Sequence, residues 1–249
     1  MPNKYKLSPS ASERFLVCSA SLPYNVDFIE NEATLKGNLQ HEAAFLRLDQ
    51  LFNNADHTKR IELLTDYKHE FLGKNPNLMV KWDLDCEKTV NNYITYIKKI
   101  VYEYAPKKIL FEHRMKIAFY DNRMNGIIDC AMVLPNDDLF IVDLKTGRVK
   151  VDTTDNNQML LYASGLIQQM YDKEKSLSKN VIISICQSLV NNTKAVKYSL
   201  DQVVKWYRSH AEKMEEINSG KLRFNPTTKA CKYCQHRAEC DERIRKGVI

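Results

Sequence analysis

Residues 126–147 read GIIDCAMVLPNDDLFIVDLKTG, and the fold turns on how this stretch is read. Two runs rich in Ile, Val, Leu and Phe, at 124–134 and 139–145, flank the turn-forming segment PNDD, the pattern of two antiparallel strands. Side chains alternate along a strand, so Ile127, Asp129, Ala131 and Val133 share one face. On the next strand Leu139, Ile141, Asp143 and Lys145 do the same. Asp143 and Lys145 are then successive side chains on one side of the sheet, with Asp129 opposite them if the two faces coincide. Two carboxylates and an ammonium among apolar neighbours are costly unless they hold something. A hard divalent cation, Mg2+ or Mn2+, resolves that cost, because it takes oxygen ligands from a few carboxylates and shares substrate phosphate. Taken alone, the same residues also fit an Asp–Lys pair on an exposed sheet edge.

Working outward, residues 109–118 (ILFEHRMKIA) read as a preceding strand, joined through the turn-like YDN to make an antiparallel meander. NVIISICQSL, from Asn180, is a buried strand. Helical periodicity marks 31–53, 87–104 and 155–171, and 199–220 closes on Gly220. Val90, Ile94, Ile97 and Val101 stripe the second of these, and Pro106 ends it. Residues 8–20 form a shorter helix, with Pro9 in its first turn and Ser10 and Glu13 at capping-box spacing. The expectation is a mixed α/β domain spanning 1–249, a small sheet flanked by helices around one core.

The composition narrows the setting. No run approaches the length of a membrane-spanning helix, and MPNKYKLSPSASERF lacks the apolar stretch of a secretion signal, so a cytoplasmic location is expected. In a reducing compartment seven cysteines speak for metal or cluster ligation rather than disulfides. The net charge of +6 is compatible with a nucleic-acid partner. Three thiols fall in CKYCQHRAEC, at Cys231, Cys234 and Cys240, one short of a four-ligand site. Cys130 alternates with Asp129 and faces away from it, and Cys186 sits in an apolar strand, so both read as buried small residues. Cys18 and Cys86 remain as the fourth ligand, and spacing alone does not separate zinc from an iron–sulfur cluster.

Further candidates flank the meander. His41, in GNLQH on the second helix, is a ligand type, although a lone histidine on an amphipathic helix is as readily structural. Gln158 and Tyr162, one helical turn apart in QMLLY, can donate to a phosphate or meet a base edge without adding charge, or simply pack on the sheet.

The pattern G-x-x-D, a turn, then D-x-K-T-G resembles the core of the PD-(D/E)XK nuclease superfamily, whose fold is restriction-endonuclease-like. The G-x-x-x-H at Gly37–His41 and Q-x-x-x-Y at Gln158–Tyr162, in this order, are similar to the RecB-type branch, which includes the CRISPR-associated iron–sulfur nucleases. The resemblance implies that Asp129, Asp143 and His41 hold Mg2+ or Mn2+, with the Leu144 carbonyl an added ligand. It further implies Lys145 as the catalytic lysine, and Gln158 and Tyr162 as residues that support the site and contact DNA. It makes Cys18 the distant partner of Cys231, Cys234 and Cys240 around a [4Fe-4S] cluster joining the two chain ends.

The implied activity is a metal-dependent deoxyribonuclease. The opening LSPSASERFLVC, with this motif order, resembles stand-alone exonucleases of phages and prophages. Those resect DNA ends, single-stranded or duplex, for recombination beside a single-strand annealing recombinase. A trimming endonuclease within a CRISPR-associated complex shares every motif. A zinc-stabilised DNA-binding module without catalysis, or a scaffolding protein, are the alternatives from other classes. No membrane partner is expected, and oligomerisation is left open.

Overall fold

The computed structural model describes residues 5, 7–24, 30–117, 124–175 and 177–248. The chain begins with a 3-10 turn at Pro9–Ala11 and a single-turn helix α1 (Ser12–Phe15). α2 (Glu32–Asn53) follows, opened by a capping box between Asn31 and Thr34. Next come α3 (Thr58–Leu64), a small hairpin of β1 (Glu70–Leu72) and β2 (Met79–Lys81), and α4 (Leu84–Tyr104), which Asp83 caps. The strands β3 (Lys108–Lys116), β4 (Asn125–Val133) and β5 (Leu139–Leu144) lead into α5 (Asn157–Glu174). β6 (Asn180–Gln187), β7 (Asn192–Ser199) and α6 (Leu200–Asn218) complete the main body. The cysteine-rich tail holds two short helices, α7 (Thr228–Cys231) and α8 (Asp241–Arg245).

The five-stranded sheet runs β3-β4-β5-β6-β7. The meander of β3, β4 and β5 is antiparallel, whereas β5 and β6 are parallel and joined through α5 as the crossover. A strand buried on both faces shows a continuous apolar run, and all six residues of β5 are buried. One face packs Ala131, Val133, Leu139 and Ile141 against α5, α6 and the N-terminal segment. The other packs Cys130, Met132, Phe140 and Val142 against α2 and α4. The sheet is thus filled from both sides, and the β4–β5 ladder stops at Cys130 and Val142.

Several expectations change. Alternation does not run unbroken through β4: Ile128 joins the same buried face as Ala131, while Ile127 is 38% exposed. The switch falls at Asp129, across from Glu112 of β3, whose φ of 45° is left-handed and kinks the pair. Residues 8–20 are not one helix but α1 between two 3-10 turns, and Glu13 takes no part in a capping box. β7, α3 and the β1–β2 hairpin were not expected from the sequence pattern. The YDN turn lies outside the described residues. Among the described residues no helix is long and apolar enough to cross a membrane.

Candidate active site

His41 reaches the sheet because of Gly37, one turn earlier on α2. A Cβ at Gly37 would stand 3.1 Å from the Thr146 hydroxyl, so glycine lets the helix lie against the loop after β5. The His41 ring then places Nδ1 3.2 Å from Asp129 Oδ1. The other carboxylate oxygen of Asp129 accepts the Leu144 N–H at 2.7 Å, tying the middle of β4 to the end of β5 where their ladder stops.

Asp143, the last but one residue of β5, is 3% exposed. Its Oδ1 accepts from the Gln158 amide at 2.9 Å, and its Oδ2 faces the Lys145 ammonium at 2.9 Å. Lys145 Nζ also donates to Gln158 Oε1 at 2.9 Å, and Gln158 Nε2 lies 3.2 Å from the Tyr162 hydroxyl. One amide, carried one turn before Tyr162 on α5, therefore orients both the acid and the lysine. Tyr162 is held in turn by Gly126, where a Cβ would come within 2.7 Å of its ring and 3.0 Å of Pro9.

The electrostatics follow from burial and pairing. Burial opposes the His41 imidazolium, but the Asp129 carboxylate outweighs it and raises the ring to about 9. Burial likewise works against the Asp129 carboxylate, and His41 overcomes this, so Asp129 is lowered. Asp143 moves the other way: burial raises it, and Lys145 offsets only part of that beside the like charge of Asp129. Burial disfavours the Lys145 charge, yet Asp143 raises it above the ordinary lysine range, so Lys145 is an ammonium.

A residue that sequence reasoning missed completes the arrangement. Glu112 is raised to about 7 by burial and then by Asp129. Among the described residues, His41, Glu112 and Asp129 are the group whose donor atoms all lie within 4.8 Å of one another. Asp143 stands outside that trio, engaged by Lys145 and Gln158. The signal for Glu112 was an acidic residue among apolar ones in ILFEHRMKIA, across the register from Asp129. Two carboxylates and an imidazole around one point are the donor set of a hard divalent ion.

Cys18, Cys231, Cys234 and Cys240 line one small cavity, with Tyr24 stacked on His236 at its rim. The Arg14 guanidinium, 6% exposed, donates to Ser21 O at 2.8 Å. Burial lowers its pKa, and Cys234 and Cys18 oppose that shift. The remaining thiols are elsewhere. Cys130 and Cys186 are buried in strands, and Cys86 is buried in the first turn of α4, where Asp83 accepts its N–H.

The fold, a mixed sheet between two helical layers, is similar to one in a solved structure. A crystal structure of a candidate exonuclease from Eubacterium rectale superposes with a TM-score of 0.51 at 10% identity, covering 95% of this chain and 88% of that one. A second, SSO0001, gives 0.35 at 11% identity over 92% and 95%. The chain itself belongs to the family described as Protein of unknown function (DUF2800), which matches it over residues 5–248.

Proposed function

We propose that the protein is a metal-dependent deoxyribonuclease, acting on DNA ends as an exonuclease. The observation that carries the reading is the juxtaposition of two groups where the β4–β5 ladder stops. One is the His41–Glu112–Asp129 donor set, and the other is the buried Asp143–Lys145 pair oriented by Gln158. His41, Glu112 and Asp129 would hold Mg2+ or Mn2+, with Asp143 and the Leu144 carbonyl at the same opening. Such an ion supplies Lewis-acid stabilisation of the phosphate and eases deprotonation of water.

The chain's own residues do the rest. Lys145, kept charged by Asp143, is suited to neutralise charge on the attacked phosphate and to orient the water, not to act as the base. Gln158 fixes that ammonium in place before substrate arrives, and Tyr162 presents a neutral hydroxyl beside it. The fold shared with the Eubacterium rectale protein agrees with this reading. End resection for recombination, beside a single-strand annealing partner, is the biological role that fits it.

We assign Cys18, Cys231, Cys234 and Cys240 to a structural [4Fe-4S] cluster. Four thiolates serve zinc or a cluster alike, and the resemblance of the whole motif set to iron–sulfur nucleases is what favours the cluster. The buried Arg14 guanidinium, beside Cys18 and Cys234, is suited to face the negative charge that a thiolate-ligated centre would supply.

The test is anaerobic purification, a visible spectrum, and Mg2+ and Mn2+ assays on end-labelled linear and circular DNA. Brown colour with metal-dependent loss of linear DNA alone is the expected result. Absence of any metal-stimulated cleavage overturns the nuclease reading, and a colourless zinc-loaded protein overturns the cluster.

A further inference from the structure

A cleft of about 520 Å³ opens beside the site, and nothing in the reaction described so far uses it. Its volume lies within the roughly 300–1,000 Å³ of ligand-sized sites. One wall is the surface segment of Ser8, Pro9 and Ser10, and the other is the outer end of β3 and β4 with Arg114 and Ile127. Tyr162 is shared: its ring lines the cleft while its hydroxyl meets Gln158, which holds Asp143. The cleft therefore adjoins the catalytic centre across the Tyr162 side chain.

The lining has a consistent chemistry. Arg114 is exposed and pairs in register with Ile127, whose apolar side chain is 38% exposed. Arg114 follows Glu112 by two residues, about 7 Å along the strand, the scale of one sugar–phosphate repeat in an extended chain. The Ser8 and Ser10 hydroxyls stand 3.1 Å apart at the surface, placed so that both can donate to one anionic oxygen. A guanidinium and two hydroxyls suit a phosphodiester, and the apolar surface between them suits the face of a base.

We infer that this cleft is the seat of the nucleic-acid strand adjoining the scissile phosphate, with Arg114 its phosphate contact and Ser8 and Ser10 the supporting donors. The inference rests on the nuclease reading and adds where the strand lies. Because Arg114 meets the backbone, its loss should weaken binding alike for all sequences.

The experiment measures fluorescence anisotropy of a short labelled oligothymidylate in Ca2+ across a salt series. It compares wild type, Arg114→Gln, the double variant Ser8→Ala/Ser10→Ala, and Lys205→Gln as a charge control on the exposed side of α6. Arg114→Gln should raise the Kd about 10-fold and reduce the salt slope by about one contact. The serine pair should weaken binding without changing the slope, and Lys205→Gln should do neither. Arg114→Gln binding with wild-type affinity and slope overturns the cleft assignment while leaving wild-type cleavage, and so the nuclease reading, intact. A wild type that neither binds the oligonucleotide nor cleaves DNA with Mn2+ overturns both.

Discussion

The Glu13 carboxylate accepts the backbone N–H of Asn157 at 2.8 Å, across 144 residues of sequence, and its other oxygen meets Lys229 of the cysteine-rich tail at 2.6 Å. Asn157 opens α5 and precedes Gln158, the amide that orients Asp143 and Lys145. One acid on α1 thus links the tail to the helix that sets the site. Glu13→Ala leaves a largely buried N–H without its partner, a cost of about 1–3 kcal/mol. We expect chemical denaturation to show that loss, and kcat to fall roughly 10-fold or more as Gln158 shifts. Oligonucleotide Kd should stay near wild type, because Glu13 lies off the strand's cleft. A fall in stability with kcat unchanged would mean that Glu13 only packs the fold.

Lys145 offers a sharper test of the chemistry. Replacing it with Met removes the ammonium that faces Asp143, while keeping most of the side chain's volume. The buried Asp143 carboxylate, already raised by burial and by Asp129, then loses its main compensation. Lys145→Met should lower the cleavage rate by about 100-fold or more, and Asp143→Asn likewise. The visible spectrum of the tail should be unaltered in both. Cleavage by Lys145→Met at the wild-type rate would remove the lysine from the mechanism.

Asp83 gives the fold a predictable response to acid. Its Oδ1 accepts the Cys86 N–H at 2.9 Å, capping α4, and its Oδ2 takes the Lys36 ammonium from α2 at 2.9 Å. Burial raises its pKa, but Lys36 and the capping bond more than reverse this, and the carboxyl ends below its ordinary value of 3.8. A depressed folded pKa means that the stabilisation is present above the unfolded value and is lost as pH falls through the folded one. Asp83→Ala should therefore cost about 1 kcal/mol near neutral pH. Thermal melts of the two proteins should converge as pH drops below 3.8, toward the lowered value.

How far these features are legible in sequence depends on how local their causes are. The pairing of β4 with β5 follows from alternation around PNDD, and Asp143 and Lys145 on one side of the sheet follow from the same period. Asp129 escapes that rule, because the strand changes face there, and the cause is a left-handed Glu112 that no pattern in ILFEHRMKIA announces. β7 was missed because NTKAVKYS is an edge strand, with exposed lysines that protect an unpaired edge and blur its hydrophobic signal. The three-residue strands β1 and β2 are too short for any period to register. His41 is a lone polar residue on a helix until its partner is known, and only the resemblance singled it out. The Glu13 bridge joins positions so far apart that local capping chemistry offered the nearer, mistaken explanation.

Cys18 tests whether the two ends of the chain are held as one unit. Beyond the shared cavity, the segments touch directly: Ala20 N–H donates to Arg223 O at 3.1 Å, and Arg223 N–H donates to the Ser19 hydroxyl at 2.8 Å. Asn225 N–H points to Cys18 Sγ at 3.4 Å. The segments are separated by some 200 residues, and closing such a loop is entropically costly. A four-thiolate centre would share that cost with these contacts. In Cys18→Ala the visible absorbance should be lost, and amide exchange should accelerate together at residues 18–22 and 223–240. β5 and β6, buried between both helical layers, should keep their protection. Faster exchange in the tail alone, with the N-terminal segment unchanged, would show that Cys18 is not a ligand of the shared centre.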